Sequence, residues 1–172
     1  LMDHIYAFML LGHFGETAAH KTIIDLFSLP GETAHALYEE IGLENLPMVL
    51  VKTCGGNLDA IKAMAMARSG EDFFRASAFH AMVFGVVEGY ITRTEVLELI
   101  GTQFTGEEAD EISDFWGLVA CLALDLYPED IMETIDRAFE KGLIEQGMVG
   151  HGDFEAALAA GKAACLKRLH GE

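Results

Sequence analysis

Apolar and polar positions alternate along this chain with helical spacing, in short segments that capping residues open and glycines close. The capping box Thr92-Arg93-Thr94-Glu95 is one such start, and Gly89 is one such stop. Starts recur at roughly 12–20 residues, which is typical of helices and too long for a series of strands. The pattern predicts helices at residues 2–13, 17–27, 31–41, 45–54, 58–68, 72–89, 92–105, 113–127, 128–141 and 153–170.

This series of short helices predicts an all-α protein. One helix pair cannot bury its own apolar face, so successive pairs are expected to stack. We therefore expect a right-handed α-α superhelix, a HEAT- or armadillo-like solenoid of about five antiparallel helix pairs. The segments 72–89 and 113–127 are apolar nearly all round, which predicts that neighbouring helices enclose them. No linker or low-complexity segment interrupts the chain, so a single domain over residues 1–172 is expected.

Prolines and glycines refine this prediction. Each of the three prolines is expected in the first turn of a helix, where proline loses no hydrogen bond; they are Pro30, Pro47 and Pro128. Glycines inside predicted helices indicate close approach of a neighbouring element; they are Gly85, Gly117 and Gly161. The glycine-rich segment 142–152 is expected to be the loosest part of the chain.

The charge balance excludes several partners. Eleven Lys and Arg against 28 Asp and Glu give a net charge of −17, and the acids are dispersed along the chain. Such a surface repels nucleic acid and anionic membranes, so neither is an expected partner. No apolar run reaches the ~18–20 residues of a membrane span. The acids are typical of a solvated surface that aids solubility, and they also favour a basic partner.

The cysteines and the first residues of the chain indicate the cellular compartment in which the protein is expected. Cys54, Cys121 and Cys165 are far apart in apolar contexts and form no CxxC pair, which predicts free, buried and slowly reacting thiols in a reducing compartment, the alternative being a reactive nucleophile. A cytoplasmic location follows as the expectation. The chain opens with Leu1 and has no basic segment before an apolar stretch, so no signal peptide is expected. We expect Leu1 to lie inside a longer natural chain or to follow a tag remnant.

Motifs for known chemistry are absent from the sequence. It contains no phosphate loop, dinucleotide fingerprint, nucleophile elbow or HExxH. The seven histidines include no HxxxH or HxxE pair on one helical face with an apolar surround. Neither a metal nor a cofactor is therefore expected, and no catalytic residue is assigned.

Four residues form a candidate ligand-binding or structural polar cluster: Arg75, His80, Trp116 and Asp125. Arg75 lies in an apolar helix, so its guanidinium requires a carboxylate or carbonyls at the end of an adjacent helix, or else binds an anion. His80 is expected to bond a backbone carbonyl, the alternative being a catalytic base. Asp125 is expected to cap the helix that Pro128 opens, the alternative being acid catalysis.

Several segments together resemble a known family: His4-Ile5-Tyr6-Ala7, Leu10-Leu11, Phe27-Ser28-Leu29-Pro30-Gly31, Arg75-Ala76, Trp116 and Asp125-Leu126-Tyr127-Pro128-Glu129. They are similar to the uncharacterised bacterial family known as domain of unknown function 1186. The resemblance implies a HEAT-like helical repeat without an assigned activity. Some members carry a cysteine-rich, metal-binding SEC-C tail, but this chain has no such cysteine cluster, so that zinc function is not carried over. Arg75 also resembles the arginine that HEAT repeats place in the second helix of a pair.

Two functions remain open on this evidence. The first is a non-catalytic helical scaffold of otherwise unknown function that binds a protein or peptide through an acidic or concave surface, with the charge favouring a basic partner. The second is an enzyme or small-molecule-binding protein with a pocket between inner helices, near the four residues of the polar cluster. A solvent-open pocket there would favour the second function, and a packed interior would favour the first. The oligomeric state stays open.

Overall fold

The computed structural model describes residues 3–30, 36 and 42–171. Over these residues the chain forms ten α-helices and two short 3-10 turns, and no β-strand. The predicted all-α class is confirmed for this part of the chain. The predicted helix at 31–41 lies outside the described residues, except for Ala36. The chain divides into two compact units, the first ending at Ile91 and the second beginning at Thr92.

The first unit contains five of the described helices and the 3-10 turn Thr17–Ala19. The helices are α1 (Asp3–Phe14), α2 (His20–Phe27), α3 (Gly42–Thr53), α4 (Asp59–Met66) and α5 (Asp72–Glu88). Helix α5 packs against both α3 and α4, and α1 packs against α3. Within this unit α5 therefore lies between neighbours, as its apolar sequence predicts.

Aromatic side chains join three helices in the core of the first unit. The ring of Phe27 in α2 lies 5.7 Å from that of Phe8 in α1 and 4.9 Å from that of Phe74 in α5. All three side chains are buried. The buried run of α5 extends from Phe74 to Phe79 without a break and resumes at Ala81. Burial of these rings anchors one side of α1 to the core.

The second unit contains the other five described helices and the 3-10 turn Pro128–Ile131. The helices are α6 (Arg93–Gly101), α7 (Phe115–Asp125), α8 (Met132–Glu140), α9 (His151–Ala160) and α10 (Lys162–Leu169). Helix α7 packs against α6, α9 and α10. It is buried along most of its length, which confirms the prediction that it is enclosed. The predicted capping box is also confirmed, because Thr92 and Glu95 exchange side-chain and backbone hydrogen bonds.

Two predictions about helix ends are wrong. The predicted helix 153–170 is interrupted at Gly161, whose φ of 88° belongs to a backbone conformation that side chains disfavour. A Cβ at Gly161 would have no neighbour within 4 Å. This glycine therefore allows the helix to break and does not accommodate a closely packed neighbouring element. Pro47 lies inside α3 and not in a first turn, because the helix already begins at Gly42.

The other two interior glycines do mark close approaches. A Cβ at Gly85 would lie 3.1 Å from Leu58 Cδ1, and one at Gly117 would lie 2.6 Å from Met148 Sδ. Met148 belongs to the glycine-rich segment that we expected to be loose. That segment is instead packed onto the second unit, with Ile144 and Val149 buried, and α9 already begins at His151. Its apolar side chains explain the difference, because their burial offsets the flexibility of its glycines.

Candidate functional site

Arg75, in the first turn of α5, is 1% exposed. Its Nε donates a hydrogen bond of 3.3 Å to the carbonyl oxygen of Ala65, near the end of α4, and its Nη1 lies 3.5 Å from Asp72 Oδ1. Gly70 lies against the side chain, since a Cβ there would be 3.2 Å from Arg75 Cγ. The predicted burial and the predicted bond to a carbonyl of an adjacent helix are confirmed. The guanidinium ties α4 to α5.

His80 is half-buried and stacks on the ring of Phe84, one turn further along α5. The two ring centroids are 4.6 Å apart and the planes differ by 27°. This stacking gives His80 a packing role beside an apolar ring. Its predicted hydrogen bond to a backbone carbonyl stays a prediction.

Trp116 and Asp125 lie on α7 in the second unit. Trp116 is 1% exposed, and its buried Nε1 has no hydrogen-bond partner among the residues that the structure describes. Asp125 is half-buried at the end of α7. Burial raises the pKa of the Cys121 thiol, and the Asp125 carboxylate raises it further. The capping role of Asp125 stays a prediction.

The four predicted residues thus belong to two helices in different units, Arg75 and His80 to α5 and Trp116 and Asp125 to α7. Arg75 and Trp116 are packed interior side chains, each in its own unit. The three cysteines are free, as predicted. Cys54 and Cys165 are also buried as predicted, but Cys121 is only half-buried.

A surface that the sequence analysis missed lies on α1. Its side chains at positions i, i+3, i+4, i+7 and i+8 are all exposed, and we call these five residues the α1 face: Tyr6, Met9, Leu10, His13 and Phe14. Phe14 is 75% exposed and Tyr6 is 64% exposed. On the other side of α1, Phe8 and Gly12 are buried. Helix α1 therefore shows apolar side chains both to the core and to the solvent.

A groove of about 450 Å³ lies beside the α1 face, between α1 and α3. Gly12 and Val49 both line it and lie close together, since a Cβ at Gly12 would lie 2.8 Å from Val49 Cγ2. The remaining lining residues comprise two methionines and three polar side chains: Met9, Met48, His13, Asn45 and Lys52. Together the α1 face and this groove form one mixed apolar and polar surface, which we call the α1–α3 surface.

The charged groups around the α1–α3 surface are mostly acidic. Asp3 begins α1, Glu16 follows its end, and Glu44 precedes the lining residue Asn45; all three acids are exposed. The cation within the groove, Lys52, forms an ion pair of 3.2 Å with Glu88. The charged residues that adjoin the surface along α1 and α3 are therefore negative overall in the described part of the chain.

Arg93 is a structural residue that the sequence analysis also missed. Its guanidinium donates hydrogen bonds to the carbonyl oxygens of Leu126 and Tyr127 and lies 2.9 Å from Asp130 Oδ2. It also lies 5.8 Å from the centre of the Tyr127 ring. Tyr127 has a φ of 58°, so Arg93 secures an unusual turn between α7 and the 3-10 turn. The partners lie more than 30 positions away, which a local motif cannot reveal.

His151 opens α9 with a carboxylate at each ring nitrogen. Nε2 is 2.7 Å from Asp136 Oδ1 in α8, and Nδ1 is 3.3 Å from Glu155 Oε1. The Asp136 hydrogen bond raises the pKa of His151, and Glu155 adds to the effect. Because the carboxylates lie at opposite ring nitrogens, the arrangement favours an imidazolium that donates to both. In the described residues no three His, Cys, Asp or Glu side chains are placed to hold a metal ion.

In the part of the chain that the structure describes, no helix combines the length and apolar character needed to cross a membrane. Over the described residues the protein is all-helical and has an exposed α1–α3 surface. The chain belongs to the family described as "Protein of unknown function (DUF1186)", which matches it over residues 1–172. The family resemblance noted from the sequence is confirmed.

Two curated relatives are each described as "Uncharacterized protein". The one from Chlamydia muridarum (strain MoPn / Nigg) is 26% identical over 155 residues, which are 90% of this chain and 62% of that protein. The one from Chlamydia trachomatis serovar D (strain ATCC VR-885 / DSM 19411 / UW-3/Cx) is 26% identical over 167 residues, 96% of this chain and 66% of that protein. The chain thus spans less than two thirds of either relative. No solved structure matches it.

Proposed function

We propose that this protein is a non-catalytic scaffold that binds a protein or peptide partner through the α1–α3 surface. The observation that carries the proposal is the exposure of large apolar side chains along one face of α1, with Phe14 75% and Tyr6 64% exposed. Contiguous exposed apolar surface is typical of interaction sites. Aromatic and methionine side chains are enriched in protein interfaces, and the α1–α3 surface contains both.

The interior packing of Arg75 and Trp116 supports a scaffold over the enzyme alternative. Each side chain is 1% exposed within its own unit, and Arg75 is held by Ala65 and Asp72. The groove between α1 and α3 includes none of the four residues of the predicted polar cluster. A binding role therefore fits the α1–α3 surface better than it fits that cluster.

The finer architecture belongs to the same proposal. A single domain over residues 1–172, built as a right-handed HEAT-like superhelix of about five helix pairs, would present an extended binding surface. Arg75 lies in the second helix of the α4–α5 pair and bonds the first, which supports a HEAT-like pair there. A cytoplasmic location and a basic partner remain part of the proposal.

Site-specific photo-crosslinking in the native bacterium tests this function. A photoreactive phenylalanine analogue at Phe14 should give a discrete protein adduct, because this side chain is 75% exposed on the α1 face. The same analogue at Ile112, which is 96% exposed in the second unit, is the matched control. An adduct at position 14 that is lost on Leu10→Ser supports the proposal. No adduct, or the same adducts at both positions, contradicts it.

The groove itself favours a second candidate, the binding of a small molecule. Its volume of about 450 Å³ lies in the range of ligand pockets, and His13, Asn45 and Lys52 supply polar groups. Phe14 does not line the groove. Phe14→Ser would therefore leave the affinity for a small ligand unchanged, but it would weaken the binding of a protein partner. The response to this variant separates the two candidates.

A further inference from the structure

We propose that the occupant of the α1–α3 surface is a basic amphipathic α-helix of a partner protein. This inference rests on the proposed function, since it specifies the partner of that same surface. It depends on three features of the described residues: the helical spacing of the α1 face, the methionines of the groove and the acids at its edge.

The spacing of the α1 face suits a helical partner. Tyr6, Leu10 and Phe14 lie about one turn apart along α1, so their side chains form a ridge inclined by roughly 26° to the helix axis. Tyr6 and Phe14 are eight positions apart in α1, which gives this ridge a length of about 12 Å. Ridges of one helix pack into grooves of another, so a partner helix with apolar residues every three or four positions matches the ridge. An extended strand would need an open sheet edge, and no strand occurs in the described residues.

The groove offers methionine contacts to such a helix. Met9 in α1 is 45% exposed and Met48 in α3 is 42% exposed, and both line the groove. Methionine has a flexible, polarisable side chain that adapts to the shape of an apolar partner. Surfaces that receive amphipathic helices use methionine in this way. The apolar side chains of the partner helix would therefore enter the groove between Met9 and Met48.

The acidic residues beside the α1–α3 surface favour a basic helix as its occupant over a second copy of the chain. Asp3, Glu16 and Glu44 are exposed around the surface, and Lys52 is neutralised by Glu88. A second copy would bring a net charge of −17 against another −17. Lysine or arginine beside the apolar stripe of a partner would instead meet these acids, which favours encounter and orientation.

A synthetic helical peptide tests the inference on the full chain. The probe has roughly 18 residues, about five turns, with leucine at positions i, i+3, i+4 and i+7 and lysine elsewhere. Fluorescence anisotropy of the labelled probe should show saturable binding. A probe with glutamate in place of lysine should bind at least ~10-fold more weakly, and so should a lysine probe with the leucine order scrambled.

Variants that leave the net charge of the chain unchanged test whether the lysine probe is bound only through non-specific attraction to the acidic chain. Phe14→Ser and Leu10→Ser should each weaken the binding of the lysine probe at least ~10-fold, and Ile112→Ser should leave that binding unchanged. All three side chains are exposed, so the variants should keep the fold, which circular dichroism checks. Glu44→Gln should weaken the binding slightly and reduce its dependence on salt.

Each other outcome overturns the inference in a recognisable way. Equal affinity for the lysine and glutamate probes shows that the partner need not be basic, and equal affinity for the scrambled probe shows that it need not be a helix. A dimer in sedimentation that Phe14→Ser dissociates identifies a second copy as the occupant. A crosslinked partner at position 14 together with no binding of any probe leaves the proposed function standing and the basic helix wrong.

Discussion

A Cβ at Gly12 would lie 2.8 Å from Val49 Cγ2 and 3.3 Å from Val49 Cα, so α1 and α3 approach each other across the missing side chain. The groove between the two helices is lined by both residues. The α1–α3 surface therefore depends on a glycine that lies inside a helix, where glycine is otherwise unfavourable.

Gly12→Ala should lower the free energy of unfolding by about 1–3 kcal/mol, because the added methyl group meets the branched side chain of Val49 and its Cα, and forces the helices apart. Gly117→Ala is the matched comparison. Its Cβ would be 2.6 Å from Met148 Sδ, but a methionine side chain moves easily. Chemical denaturation of both variants should show the larger loss for Gly12→Ala. An equal or smaller loss would contradict the close approach of α1 and α3.

Arg75→Ala should lower the free energy of unfolding by roughly 2–4 kcal/mol, because it leaves the Ala65 carbonyl without this partner and opens space along the side chain. Arg75→Lys should recover little, since an ammonium cannot replace the planar guanidinium. Denaturant titration measures both variants. If Arg75→Ala stays within ~0.5 kcal/mol of wild type, Arg75 does not tie α4 to α5.

Arg93→Ala should lower the free energy of unfolding by about 2–3 kcal/mol, because charged hydrogen bonds to the Leu126 and Tyr127 carbonyls are lost. Arg137→Ala is the control, since Arg137 is an exposed arginine that pairs with Glu133 on its own helix. Such a pair contributes at most about 0.5 kcal/mol. Thermal or chemical unfolding that gives the two variants the same stability would show that Arg93 does not secure the turn at Tyr127.

His151 should titrate above its ordinary pKa of 6.5, because Asp136 and Glu155 favour its charged form. A pKa raised in the folded state adds stability that is fully present below pH 6.5 and is lost as the pH rises through the folded value. Asp136→Asn should lower the pKa of His151, and Glu155→Gln should lower it less, in an NMR titration of the ring protons. A pKa at or below 6.5 in the wild type would contradict the double pairing.

Much of the fold follows from local sequence patterns. The capping box at Thr92 and the enclosed α5 were predictable, since a cap depends on adjacent residues and an apolar helix must be buried. The burial of Arg75 followed from the apolar helix around it. The break at Gly161 was not predictable in the same way, because alanine and leucine on both sides of it, and lysine after it, favour continued helix.

The candidate surface could not be found from the sequence for a different reason. Helix α1 is apolar on both sides, so the pattern cannot tell that Phe8 faces the core and Phe14 the solvent. Arg93 was equally hidden, because the carbonyls that it bonds belong to residues 33 and 34 positions later. Contacts between distant segments decide both features, and only the folded chain supplies them.

The most direct test of the α1–α3 surface is methyl NMR of the full chain with its methionines labelled with carbon-13. Spectra are recorded while the lysine probe, or a partner protein identified by the photo-crosslinking, is added. Met9 and Met48 line the groove, and Met148 in the second unit is the control because its 38% exposure is close to their 45% and 42%. If the partner binds at the α1–α3 surface, the Met9 and Met48 methyl signals should shift in a saturable way and the Met148 signal should not shift. Shifts confined to Met148, or equal shifts of all three signals, would contradict binding at this surface.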